Sequence, residues 1–154
     1  MKVTEESYRE SALAQIEVAQ SLIAQRQYPL ANYLAGLSVE CMLRAYGSRT
    51  DTSFDARHDL RRWYEKSSLE EAVSEGQRQS ISTALSIVAS HWNNSQRYYS
   101  VEIYRAEIKQ ALLDRGIKGD PVKEITRRTV NASLEIVIVG DAQWKNYLRK
   151  LSRS

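Results

Sequence analysis

Only two prolines interrupt 154 residues, and each stands at the head of a stretch whose apolar residues recur three and four positions apart. Proline suits the first turn of a helix, where its missing N–H is not needed, and is excluded from a helix interior. After Pro29, Leu30, Leu34, Leu37 and Cys41 form one stripe, with Ala31, Ala35, Ser38 and Met42 beside it. After Pro121 the stripe is Val122, Ile125, Thr129, Ala132, Ile136 and Val139. That second stretch contains the β-branched run Ile136–Val139, which propensity alone would make a strand. The three-and-four spacing and the lack of any partner strand elsewhere make it a helix instead. With only six glycines for turns, the chain is read as all-α.

The remaining elements follow the same logic. Ala12, Ile16, Ala19 and Ile23 predict a first helix over 4–25, opened by Thr4 with Glu5 and Glu6 in its first turn. The helix from Pro29 is predicted to reach Tyr46 and to end at Gly47-Ser48, before a polar loop over 48–55. A short helix is predicted over 58–66. A fourth is predicted over 69–93, with Ile81, Leu85, Val88 and Trp92 inward, broken by Asn93-Asn94-Ser95. A fifth over 101–115 would turn Tyr104, Ile108, Ala111 and Leu112 inward and close at Gly116. The last helix has Gly140-Asp141 as its one point of interruption before Trp144, Tyr147, Leu148 and Leu151. The architecture expected is an antiparallel bundle of four to five main helices plus a short one.

A chain of this length buries one core, so residues 1–154 are read as a single domain. No run of about 20 apolar residues and no leader pattern is present, so no membrane is expected. Cys41 has no second cysteine to pair with, and a reducing cytoplasm is the expected compartment. The net charge of +3 is unevenly held: residues 97–154 carry 12 Lys+Arg against 7 Asp+Glu. That asymmetry suits a phosphate-bearing partner, although no Lys/Arg block of five or more occurs.

Several residues are candidates for chemistry. Glu40 and Arg44 are four apart on the second predicted helix, close to its apolar stripe; buried, Glu40 needs a cation, and His58 or Arg97 would serve. Arg57, Arg61 and Arg62 cluster with His58 and make the densest positive group. Tyr98, Tyr99 and Tyr104 lie near Arg97 and Arg105, either as stacking planes for single-stranded nucleic acid or as interface residues. Interface composition favours the latter. The proposed ligand set is therefore Glu40, Arg44, His58, Arg61, Arg97 and Tyr98. Cys41 lies on an apolar stripe with no neighbouring base and reads as core. Two separated histidines and one cysteine make no zinc site, and no glycine-rich phosphate loop or other cofactor pattern is present.

The run YPLANYLAGLSVECMLRAYG, the His58-Asp59-Leu60 triplet after a polar loop, and a helix ending at Trp92 with Arg97-Tyr98 just after it resemble HEPN domains. These segments cover under half of the chain. The resemblance implies a bundle of four or five helices, a symmetric homodimer, and a role in cutting RNA, binding nucleotides, or partnering a small nucleotidyltransferase in toxin–antitoxin and defence systems. Catalytic members carry an arginine, four to six residues of spacer, and a histidine, so that one group polarises a phosphate while the other moves a proton. This sequence departs from that pattern. Asp51, Thr52 and Ser53 stand where His58 would need the arginine, Ala84, Leu85 and Ser86 where His91 would, and no histidine follows Arg97. A non-catalytic binding module is therefore the expectation. The alternatives are a divergent ribonuclease using Arg97 and a purely structural interaction module.

Overall fold

A computed structural model describes residues 1–154 as six α-helices and two short 3-10 turns, with no strand. Helix α1 spans Glu5–Ala24, α2 Tyr28–Thr50, α3 Leu60–Ser67, α4 Glu75–His91, α5 Val101–Gln110 and α6 Pro121–Ser152; the 3-10 turns are Leu69–Ala72 and Asn94–Tyr98. Helix α2 is the axis around which the others pack, in contact with every other helix and with the second 3-10 turn. Its residues are consequently buried on nearly all sides. The face that sinks deepest is the small one, with Ala31, Ala35, Ser38 and Met42 fully buried, whereas Leu30 on the expected leucine stripe is 44% exposed. Small side chains let neighbouring helices approach, so the alanine row and not the leucine row became the centre.

The main core joins α1, α2, α3, α4 and α6 and includes Trp63, Trp92 and Trp144. A smaller cluster of Tyr104, Ile108, Val122 and Ile125 ties α5 to α6, with the Tyr104 hydroxyl 3.0 Å from the Thr126 hydroxyl.

Four element boundaries differ from the sequence reading, each for a local reason. Helix α2 runs through Gly47 to Thr50, because a Cβ at Gly47 would lie 3.0 Å from the Trp63 ring: this glycine makes room for an indole rather than ending a helix. The predicted fourth helix is divided. Ser68 adopts a left-handed conformation, Leu69–Ala72 forms a 3-10 turn, and α4 restarts at a capping box formed by Ser74 and Gln77. Helix α5 stops at Gln110, short of Gly116, because Leu112 takes the left-handed position (φ 59°) with Leu113 N–H donating to Ile108 and Leu112 N–H to Lys109. Leu112 and Ala111 face outward as a result. Helix α6 passes through Gly140 unbroken, for a Cβ there would meet Met42 at 2.6 Å, and the freed space lets Tyr46 donate to the Gly140 carbonyl at 2.6 Å.

Candidate functional site

The site is built on one buried carboxylate. Glu40 lies on the side of α2 that faces the segment leading into α3 and is only 3% exposed. An isolated carboxylate in that setting is strongly disfavoured, so partners must converge on it. Arg44, one turn along the same helix, donates from Nε to Oε1 at 2.9 Å. His58 donates from Nδ1 to Oε2 at 2.9 Å. Each carboxylate oxygen thus has its own cation-capable donor, one local and one delivered by the loop after α2.

The loop is delivered by a second set of bonds. Arg44 Nη2 and the Trp63 indole N–H both donate to the Arg57 carbonyl, at 2.7 and 2.8 Å. The Arg44 guanidinium stacks over the Trp63 ring at 4.5 Å, a contact that a planar, weakly hydrated cation favours. Asp59 caps α3 by accepting from the Arg62 N–H, so His58 precedes the helix rather than beginning it. With its Nδ1 bound to Glu40, the imidazole leaves Nε2 as the free nitrogen, and the His58 side chain is 45% exposed.

Next to that imidazole is a hollow of about 200 Å3 lined by His58, Asp59, Leu60, Arg61, Ala89 and Trp92. The His58 and Trp92 rings meet edge to face at 6.4 Å. Trp92 is held by donating to the Tyr33 carbonyl at 3.0 Å. The floor of the hollow is therefore held in place, and the exposed groups around it are His58, Asp59 and Arg61, with Arg57 and Arg62 nearby in the chain and also exposed.

Of the residues selected from the sequence, Glu40, Arg44 and His58 are brought together and Arg61 shares the hollow with His58. Arg97 and Tyr98 are not joined to them. Both are exposed, and the Arg97 guanidinium sits 4.7 Å over its own neighbour's ring. The 3-10 turn carrying them is fixed through Gln96 instead, which donates to the His91 carbonyl at 2.8 Å and accepts from Asn32 at 2.8 Å. The sequence reading missed Trp63 and the Arg57 carbonyl as the parts that position Arg44. A tryptophan among four charged residues in an eight-residue helix was the available signal. No cluster of His, Cys, Asp and Glu suited to a metal ion is present, and no helix is long and apolar enough to cross a membrane. Compared with family models, with curated proteins and with solved structures, the chain matches none.

Proposed function

We propose that this chain is a HEPN-like binding module without ribonuclease chemistry, which takes a phosphate group of a nucleotide or an RNA segment at the His58–Arg61 hollow. In this reading it works as a homodimer in a toxin–antitoxin or defence setting, where a small nucleotidyltransferase is the protein partner. The observation that carries the reading is the buried Glu40 holding His58 by Nδ1, which presents Nε2 and Arg61 at the same rigid depression. A phosphate oxygen accepts hydrogen bonds from the Arg61 guanidinium and, when the imidazole carries both protons, from His58 Nε2, and a fixed donor loses less entropy on binding than a free one. The hollow is too small for a whole nucleotide, so the base and sugar lie along the surface toward the exposed arginines. Dimerisation draws support from the exposed aromatic and aliphatic surface at Tyr98, Tyr147, Leu148 and Leu151.

A thermal-shift series with ATP, other nucleotides and short RNA tests the binding role. Stabilisation is expected with a phosphate-bearing ligand, and His58→Ala or Arg61→Ala removes it. Incubation with labelled RNA in the presence of chelator tests the ribonuclease alternative, since cleavage abolished by Arg97→Ala would overturn the binding role. Unchanged melting with every ligand, and no cleavage, would leave the interaction module.

A further inference from the structure

On the other side of Arg44 lies a second and larger cavity, of about 380 Å3, enclosed by the first residues of the chain, α1, the end of α2 and the 51–55 loop. Its volume falls in the range of small-ligand pockets, roughly 300–1,000 Å3. Tyr8 and Phe54 give it two aromatic walls, and the buried Trp63 ring, covered by Arg44, backs Phe54 edge to face at 5.0 Å. The charged groups lining it are Lys2 and Arg44 on one side of the balance and Glu5 and Asp55 on the other.

That balance decides the chemistry. Two cations and two carboxylates cancel, so the cavity has no surplus positive charge for a phosphate. Arg44 already donates from Nε to Glu40 and from Nη2 to the Arg57 carbonyl, and Nη1 has no acceptor in the chain. Asp55 Oδ1 lies 3.7 Å from Arg44 Nη2 and accepts from the Arg57 N–H, leaving Oδ2 free. A cation with an unused donor and a carboxylate with an unused oxygen thus stand side by side next to two partly exposed aromatic rings. A ligand that uses both must carry a cation and an anion one carbon apart and a flat apolar group next to them.

We propose that this cavity binds a free amino acid with an aromatic side chain. Its carboxylate meets Arg44 Nη1, with Lys2 as the outer cation. Its ammonium, one carbon away, meets Asp55 Oδ2, with Glu5 as the outer anion. Its ring lies between Tyr8 and Phe54. A nucleoside has the ring and lacks the charges; a peptide in which the same residue is internal has lost both charged groups. This inference does not rest on the phosphate reading, because the two hollows have different linings and respond to different substitutions.

The experiment is isothermal titration of the intact chain with L-phenylalanine, L-tyrosine and L-tryptophan, alongside phenethylamine, 3-phenylpropionate, L-alanine and adenosine. Saturable binding of at least one aromatic amino acid is expected, with phenethylamine and 3-phenylpropionate each about tenfold weaker or more, since each lacks one charge-assisted hydrogen bond. Asp55→Asn should weaken the amino acid about tenfold and leave 3-phenylpropionate unchanged, a selectivity that a folding defect would not produce. Ser48→Phe, which fills the cavity from α2, should abolish binding while nucleotide-dependent melting shifts persist. Should Ser48→Phe fail to fold, Asp55→Asn at its exposed position carries the test alone. No saturable binding of any aromatic amino acid at millimolar concentration, preference for adenosine, or equal loss of amino acid and 3-phenylpropionate in Asp55→Asn would overturn the proposal.

Discussion

The His58 Nδ1–Glu40 Oε2 hydrogen bond, 2.9 Å long, links residues eighteen positions apart and closes the loop after α2 onto that helix. Glu40 is the buried member, its side chain 4% exposed against 45% for His58, so the two partners are unequal in what their loss costs. Glu40→Ala is expected to destabilise the fold by about 3 kcal/mol, the lower end for breaking a buried ion pair because Arg44 keeps partial solvent access. His58→Ala should cost about 1 kcal/mol, since water replaces the imidazole. Urea denaturation of both variants checks the ratio, and equal costs would mean that Glu40 is not the anchor.

Gly36 and Gly140 are both buried against side chains, yet they should respond differently to alanine. A Cβ at Gly36 would fall 2.1 Å from the Trp92 ring, which is pinned by its bond to the Tyr33 carbonyl. At Gly140 the obstacle is Met42, whose Cγ would lie at 2.6 Å and whose unbranched side chain can shift by rotating about its χ angles. Gly36→Ala is expected to cost about 3 kcal/mol and to loosen the turn at Asn94–Tyr98, whereas Gly140→Ala should cost about 1 kcal/mol, helix propensity offsetting part of the overpacking. Thermal melts, with tryptophan fluorescence reporting Trp92, distinguish the two.

Burial pushes the Cys41 thiol up to about 11, with the Glu40 carboxylate adding to the effect. The thiolate is the reactive form, so at neutral pH almost none is present. Alkylation by iodoacetamide is expected to be slower than for a free thiol by a factor of about a hundred or more and to appear at normal rate only in denaturant. Mass spectrometry of the labelled chain is the measurement. Rapid labelling of folded protein would show that α2 opens locally.

His91 is held below the ordinary imidazole value of 6.5, first by burial and then by the Arg128 charge. Its Nδ1 lies 3.2 Å from the Thr129 hydroxyl on α6. Because the folded chain binds this proton less readily than the unfolded one, the contribution to stability is complete above 6.5 and is lost as pH falls below it. Unfolding free energy should therefore decline as pH falls below 6.5 in the native chain and decline less in His91→Asn, as measured by urea titration at each pH. Equal slopes in the two proteins would remove His91 as the cause.

The bundle was largely legible because its code is local. Spacing of three and four residues marks a helix face whatever surrounds it, and Thr4, Asp120 and Pro121 act on their own helix ends. Cap strength was the point of failure: Ser74 with Gln77 opened α4 at Glu75 rather than at the expected 69, and Leu112 closed α5 in a conformation more usual for glycine. The Glu40–Arg44 pair was legible for the same local reason, being one helical turn apart.

Which distant residue reached Glu40 was a different matter. Sequence offered both His58 and Arg97, and the choice fell to His58 because Trp63, packed against Gly47 and bonded to the Arg57 carbonyl, draws the loop down onto α2. By itself the sequence determined that the chain is helical, where its apolar faces lie, and that a carboxylate near them would need a cation. The tertiary structure alone decided which faces met, since Gly47 and Gly140 became sites of close approach rather than stops. The reason is that helix spacing depends on side-chain volume at both partners of a contact, and only one of those partners is present in any local stretch of chain.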